Sequence, residues 1–227
     1  MPKIYRISKI GTRILQKIRH RRGHGIHSPF VFSLITNVIE EKRKYYAFDD
    51  IQNFISKYDN VKQHSKKYNR FVFRIINHFS AKNILEIGSG DGQTTLYASA
   101  SSSSIRCNCY EPSTKKSEKA NILYNDWGRS INLHTDSLPH INDIQDCIIV
   151  DLKNYFADYD LFLSYILPLC NEETFIIIKG IRTKRKNQML WRMLKQSEKV
   201  TVSLDLFNIG VLFFDKRFYK RNYRLNF

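Results

Sequence analysis

The chain has 227 residues, 42% of them hydrophobic, which is enough for one domain with a substantial core. The sequence contains no run of about 18 apolar residues, so we expect no transmembrane helix, and the N-terminus lacks the apolar core of a secretory signal. A formal net charge of +16 favours anionic partners: nucleic acid, an anionic membrane surface, or a phosphorylated or carboxylated substrate.

Residues 1–80 are predicted to form a basic N-terminal helical region that caps the rest of the chain. Isoleucines recur there at helical spacing between lysines and arginines, at Ile4, Ile7, Ile10, Ile14 and Ile18. Such a helix could lie on an anionic membrane surface or dock its apolar stripe on the domain behind it. Ser28 and Pro29 suit an N-cap and a first helical position. The stretches "FDDIQNFISKY" and "KKYNRFVFRIINHFS" predict two further helices.

Residues 81–227 show strands that alternate with helices. The predicted strands are Ile84–Ile87, Ile105–Tyr110, Ile131–His134, Cys147–Val150 and Thr174–Ile178, and the predicted helices are Thr94–Ala100, Thr114–Trp127, Tyr159–Leu167 and Lys186–Gln196. The stretch "KVTVSLDLFNIGVLFF" predicts a final pair of strands joined by a short turn. This alternation predicts a doubly wound α/β domain with a mostly parallel sheet.

The four cysteines do not form a recognisable disulfide or zinc pattern. Cys107 and Cys109 alternate along a predicted strand, and neither Cys147 nor Cys170 supplies a second CxC or CxxC pair. We therefore expect buried free thiols in a protein of the reducing cytoplasm.

The stretch "EIGSGDG", residues 86–92, follows the first strand and carries glycine at every second position. Glycine permits positive φ angles and lets a ligand approach the backbone. In an open α/β sheet the ligand site lies beyond the C-terminal ends of the strands, so this turn is the first candidate for a binding site.

Two more acids end the second and third strands. Glu111 comes about 20 residues after the turn, where a carboxylate can accept hydrogen bonds from ribose hydroxyls. Asp136, in "LHTDSL", could accept a hydrogen bond from an adenine amino group. Glu86 and Asp91 place negative charge beside the turn, which disfavours the pyrophosphate of a dinucleotide. An NAD-dependent oxidoreductase is therefore disfavoured, and a cationic ligand with an ammonium and a sulfonium is favoured.

The acid–x–Gly–x–Gly–x–Gly turn resembles the first motif of class I S-adenosylmethionine (SAM) methyltransferases. A closer resemblance extends from about Arg21 through "RRGHGIHSPFVFSLI", "RKYYAFDDI", "KNILEIGSGDGQTTLYAS" and "VTVSLDLFNIGVLFF" to an uncharacterised bacterial group allied to catechol-type O-methyltransferases. The resemblance implies a Rossmann-like fold with a mostly parallel seven-stranded sheet, an antiparallel last strand and an N-terminal helical cap. It also implies that the cofactor is SAM.

The predicted cofactor site combines the glycine turn with the acids at the strand ends. Glu86 and the glycines would serve the amino-acid moiety, Glu111 the ribose and Asp136 the adenine, with Asp151 in the same cleft. The full predicted set is Glu86, Gly88, Ser89, Gly90, Gly92, Thr94, Glu111, Asp136, Ser137 and Asp151.

The sequence departs from the catechol-type pattern where that pattern implies a divalent metal. Asp151 remains after the fourth strand, but Leu152, Lys153 and Asn154 follow it. Lys179 and Gly180 stand where paired acids are expected. A lysine ammonium cannot ligate Mg²⁺ and would repel it. We therefore expect no metal site.

Two interpretations of the chemistry remain open. In the first, methyl transfer to a small, anionic acceptor proceeds without metal, with His27, Lys179 and Asp151 as candidate catalytic residues. In the second, the site is degenerate and the protein is a SAM-binding or scaffold protein. His24 and His27 could also serve only as parts of a loop and a helix cap.

The basic surface leaves a third alternative, an RNA-directed methyltransferase. No Asn/Asp-Pro-Pro-Tyr/Phe motif follows the fourth strand, and no cysteine is preceded by proline, so two types of base methylation are disfavoured. The expected partners are a small-molecule acceptor, with nucleic acid or an anionic membrane as alternatives through the basic N-terminus, and a second copy in a homodimer.

Overall fold

The computed structural model describes residues 28–58, 66–155 and 158–227. The predicted basic helix around Ile4–Ile18, together with His24 and His27, lies outside these residues.

Helices precede the sheet and flank it. They are α1 (Pro29–Leu34), which continues as a π-helical segment (Ile35–Ile39), α2 (Tyr46–Ile55), α3 (Lys66–Phe79), α4 (Gln93–Ser99), α5 (Thr114–Trp127), α6 (Tyr159–Leu161), which continues through Phe162–Ile166 and Leu167–Leu169, and α7 (Arg185–Gln196). The predicted start of α1 is confirmed, because Ser28 is its N-cap and Pro29 its first residue. The Ser28 hydroxyl accepts a hydrogen bond from the backbone N–H of Val31 at 3.4 Å.

The described residues contain one sheet of eight strands. They are β1 (Asn83–Ile87), β2 (Arg106–Tyr110), β3 (Ser130–His134), β4 (Cys147–Asp151), β5 (Phe175–Lys179), β6 (Val202–Asp205), β7 (Ile209–Phe213) and β8 (Arg221–Arg224). Their order is β3-β2-β1-β4-β5-β7-β6-β8, and β7 alone runs antiparallel to its neighbours. The doubly wound, mostly parallel architecture is confirmed, as is the β6–β7 pair.

The predicted count of seven strands is one too low, and the antiparallel strand is not the last. The additional strand, β8, lies parallel to β6 at the edge of the sheet, and three of its four residues are exposed. An exposed edge strand needs no apolar alternation and carries charge instead, which explains why "RNYR" gave no strand pattern.

Apolar side chains cover both faces of the sheet. On one face, Ile84 and Ile149 pack in a cluster that also contains residues of α1, α2 and α3. On the other face, Leu85 and Ile148 pack with residues of α7 and the segment after α6. Alternate residues of strands buried on both faces supply the two clusters. The N-terminal helices thus share a core with the sheet, and the division of the chain at residue 81 stays a prediction.

The cysteines are free thiols, as predicted. Cys107, Cys109 and Cys147 are buried, and Cys170 is half-buried. Burial raises the pKa of the Cys107 and Cys109 thiols well above its ordinary value, which makes them unreactive. Within the described ranges, no cluster of three or more His, Cys, Asp or Glu side chains could hold a metal ion. The same ranges contain no helix with the length and hydropathy of a membrane span.

Candidate functional site

The glycine turn lies between β1 and α4 and adopts the geometry that its sequence predicts. Gly88, Gly90 and Gly92 all have positive φ angles, of +80°, +66° and +82°. The backbone N–H of Gly88 donates to the Tyr110 carbonyl at 2.8 Å, which ties the turn to the end of β2. The alternate glycines are therefore required by the backbone path.

Glu111, at the end of β2, holds this turn in place. Its Oε2 accepts a hydrogen bond from the backbone N–H of Gly90 at 2.7 Å, and its Oε1 accepts one from Ser113 N–H at 3.0 Å. The side chain is fully buried. Its two bonds to backbone N–H groups and its full burial assign this carboxylate to the support of the turn in this arrangement, and its predicted contact with a ribose stays a prediction.

Glu86 is buried beneath the turn. Its Oε2 accepts a hydrogen bond from the Thr95 hydroxyl at 2.6 Å, which links β1 to α4. Burial raises the pKa of this carboxyl to about 8. Glu86 is therefore mostly neutral at pH 7, and its predicted contact with a cofactor ammonium stays a prediction.

Protein atoms lie where side chains on the three glycines would be. A Cβ on Gly90 would lie 2.8 Å from Asn154 Nδ2, and one on Gly88 would lie 3.0 Å from Tyr155 Cβ. A Cβ on Gly92 would lie 2.7 Å from Cε1 of Tyr124. The segment after β4 thus packs directly on the glycine turn, and Gly92 makes room for a residue of α5.

Polar side chains from β4, β5 and α5 form one hydrogen-bonded network beside the turn. Lys179 Nζ lies 2.7 Å from Asp151 Oδ2, to which Asn154 Nδ2 donates at 3.3 Å. Asn154 Nδ2 also donates to the Gly88 carbonyl at 3.1 Å, and its Oδ1 accepts from Lys116 Nζ at 3.0 Å. The β4–β5 register places Asp151 directly opposite Lys179. Asn154 therefore bridges the glycine turn, Asp151 and Lys116.

A cavity of about 550 Å³ opens over this network. It lies at the C-terminal ends of β1, β4 and β5, where ligands bind in open α/β sheets. Its volume suits a small-molecule site. Its lining consists of Asn69, Ser89, Gly90, Asp91, Gln93, Thr94, Lys115, Lys116, Lys119, Asp151, Lys153, Asn154 and Lys179.

The structure places five of the twelve predicted site residues around one cavity. Five predicted residues line the cavity: Ser89, Gly90, Thr94, Asp151 and Lys179. Gly88, Gly92, Glu86 and Glu111 support the turn from behind. Asp136 and Ser137 are exposed beyond the end of β3 and do not line the cavity, and His27 lies outside the described residues.

The cavity also contains lysines that sequence reasoning missed. Lys115, Lys116 and Lys119 come from the first turns of α5, which has no acidic residue in its first turn. Lysines at a helix N-terminus oppose the helix dipole, which prefers acids there. The sequence "TKKSEK" after a predicted strand was therefore an available signal for a functional cluster.

Structural comparison identifies the fold. An O-methyltransferase from Bacillus cereus, solved with S-adenosylhomocysteine (SAH), is 17% identical and covers 81% of this chain and 97% of its own, with a TM-score of 0.54. A SAH-bound methyltransferase from Podospora anserina is 13% identical and covers 77% of this chain and 90% of its own, with a TM-score of 0.58. The SAM-bound O-methyltransferase TomG from Streptomyces achromogenes is 12% identical and covers 86% of this chain and 98% of its own, with a TM-score of 0.55.

These comparisons show the class I methyltransferase fold that the resemblance of the glycine turn implied. A search against models of protein families finds no match. A search against curated protein sequences finds none either.

Proposed function

We propose that this protein is a SAM-dependent methyltransferase that methylates a small, anionic acceptor without a metal ion. One observation carries the proposal. In a chain with the class I methyltransferase fold, the glycine turn contributes Gly90 to the lining of a cavity of about 550 Å³ at the C-terminal end of the sheet. Glycine turns at this position let a ligand approach the backbone.

The residues around the turn fit the cofactor after two local changes. Ser89, Gly90 and Thr94 line the cavity and would hold the amino-acid moiety. Glu111 is fully buried behind the turn and would accept a hydrogen bond from a ribose hydroxyl only after the turn shifts. Asn154 lies against Gly90 and would have to move aside. Asp136 and Ser137 would meet the adenine only if it extends beyond the cavity along β3.

The pair Asp151–Lys179 supports chemistry without a divalent metal. The Lys179 ammonium lies 2.7 Å from Asp151 Oδ2 and occupies the cation position beside this carboxylate. It would repel a second cation placed there. In this arrangement Lys179 can bind an anionic acceptor, and Asp151 can accept the proton that the acceptor hydroxyl releases.

Methyl transfer requires mainly that the acceptor be aligned with the methyl group and that its proton be removed. When bound, SAM supplies an electrophilic methyl group, and the sulfonium becomes the neutral thioether of SAH when that carbon bonds to the acceptor oxygen. The chain must hold the acceptor oxygen in line and exclude water. His27 remains a second candidate for the proton acceptor.

One observation favours a second candidate, a non-catalytic protein with this fold. Asn154 packs on Gly88 and Gly90, and Tyr155 packs on Gly88, so both occupy space beside the turn that a bound cofactor would need. A degenerate site would keep this covered arrangement permanently, and the turn would then serve only the backbone path.

Calorimetric titration with SAM and SAH, each with and without Mg²⁺, separates these functions. Micromolar binding that is independent of Mg²⁺ supports the metal-free enzyme. Binding that requires Mg²⁺ contradicts metal independence. Absence of binding to both ligands contradicts the cofactor assignment and supports the non-catalytic protein.

A further inference from the structure

The cavity carries a strong excess of positive charge. Five lysines from three elements line it: Lys115, Lys116, Lys119, Lys153 and Lys179. Asp91 and Asp151 are the acids of the lining, which leaves an excess of three positive charges. This charge balance could not be anticipated from Glu86 and Asp91, which suggested that the turn would repel phosphate.

The cavity lysines differ in whether another group of the protein pairs with their ammonium. Lys179 is paired with Asp151, and Lys116 donates to Asn154. Within the described part of the chain, no carboxylate lies in ion-pair distance of Lys115, Lys119 or Lys153. Lys115 and Lys119 are four residues apart on α5 and therefore project from the same face of the helix.

Helix stability does not explain these charges. Lys115 and Lys116 lie in the first turn of α5, where the helix dipole disfavours cations. Placing five ammonium groups around one cavity adds mutual repulsion. An anion bound among them relieves both costs, and a phosphate offers several acceptor oxygens to ammonium donors.

The charge of the cofactor also favours an anionic acceptor. SAM carries an ammonium, a sulfonium and a carboxylate, so it brings one net positive charge into a cavity that already has an excess of three. An anionic group on the acceptor would offset part of this positive charge. The cavity volume of about 550 Å³ is within the range of small-molecule sites.

We infer that the acceptor is a phosphorylated small molecule whose phosphate binds Lys115, Lys119 and Lys153, while Lys179 lies at the reacting end beside Asp151. This inference rests on the proposed function for its acceptor role. The anion site itself does not depend on that function. RNA, which presents the same phosphate chemistry, is the competing source of the anion.

The first test measures the anion site by itself. Calorimetric titration of the full chain with inorganic pyrophosphate, at constant ionic strength, is compared with the double variant Lys115→Gln/Lys119→Gln. The matched control is Lys57→Gln/Lys199→Gln, which removes the same charge from exposed positions away from the cavity. We expect affinity to fall about tenfold in the cavity variant and to be retained in the control. Equal affinity in all three proteins overturns the site.

A second test links the anion to the cofactor. Saturating pyrophosphate should lower the dissociation constant of SAM about fivefold, a coupling of about 1 kcal/mol. It should lower that of SAH less, because SAH lacks the sulfonium charge. If SAH binds and pyrophosphate does not, the phosphate inference fails and the proposed function stands. If pyrophosphate binds and neither cofactor form does, the proposed function fails and the anion site stands.

A third titration addresses RNA. A fluorescent single-stranded ten-nucleotide RNA should bind no more tightly than pyrophosphate, and the cavity variant and the control should bind it equally. If RNA binds tightly and only the cavity variant loses that binding, the inference of a small acceptor is overturned, and RNA is the source of the phosphate.

Discussion

Asn154 lies against Gly90, with its Nδ2 2.8 Å from the position of a Cβ on that glycine. The two residues are far apart in sequence, and their contact joins the two halves of the candidate site. The same side-chain amide donates to Gly88 and Asp151, and its oxygen accepts from Lys116. A cofactor that approaches Gly90 must therefore displace Asn154 or bind beside it.

Truncation of this side chain should favour the cofactor. Asn154→Ala removes a group whose hydrogen bonds a ligand would otherwise break, at roughly 0.5–1.5 kcal/mol each. We expect the dissociation constant of SAH to fall about fivefold or more in calorimetric titration. Asn125→Ala, at an exposed position of α5, should bind SAH as the unchanged protein does. Weaker binding in Asn154→Ala would mean that this side chain contacts the ligand.

Substitution of Gly90 should abolish binding through crowding rather than through backbone strain. Gly90→Val places a side chain against Asn154 and at the cavity, at a φ of +66°. Gly128→Val provides a matched control, because Gly128 has a φ of +68° and nothing within 4 Å of its Cβ position. Both variants should lose about 1 kcal/mol of stability or more to the left-handed backbone. Only Gly90→Val should lose affinity for SAH, and equal affinity in the two variants contradicts the site assignment.

The sequence was most informative where structure is local. The turn at Gly88 and Gly90, the Ser28 cap and the buried strands follow from glycine placement, capping chemistry and apolar runs, which act within a few residues. β8 was missed because its exposed edge position requires no apolar pattern.

The site was harder to predict because it depends on contacts between distant residues. Asn154 donates to Gly88, a separation of 66 positions, and no local pattern encodes that contact. Glu86 ends a strand as a cofactor-binding acid would, but the packing of α4 on the sheet buries it against Thr95. The charge of the cavity likewise depends on the approach of α5 to the loop after β4.

Loss of both partners in the Asp151–Lys179 pair should reduce stability by less than the sum of the two single losses. The side chains are 6% and 20% exposed, so each single substitution leaves a desolvated charge without its partner. We expect Asp151→Asn and Lys179→Met to be individually destabilising and the double variant to recover at least ~1 kcal/mol of the summed loss. Urea denaturation of the four proteins measures this coupling. Additive losses would show that the pair is screened by solvent.

The buried carboxyl of Glu86 should make stability fall as pH rises. Its pKa is raised from 4.5 to about 8, so between these values the folded protein binds a proton that the unfolded chain has lost. The contribution of Glu86 to the free energy of unfolding should therefore decrease by about 1.4 kcal/mol per pH unit in this window, and level off above about pH 8. Below about pH 4.5 both states are protonated and the dependence disappears.

Glu86→Gln isolates this contribution, because glutamine keeps an oxygen for the Thr95 hydroxyl and cannot ionise. Urea denaturation at pH 6 and pH 9 should show the variant gaining roughly 2–3 kcal/mol relative to the unchanged protein at the higher pH. Glu118→Gln, at an exposed position of α5, should show no such gain. SAH affinity in Glu86→Gln then tests the predicted role of this acid. Retained affinity at pH 7 assigns Glu86 to the link between β1 and α4, whereas a large loss assigns it to the cofactor.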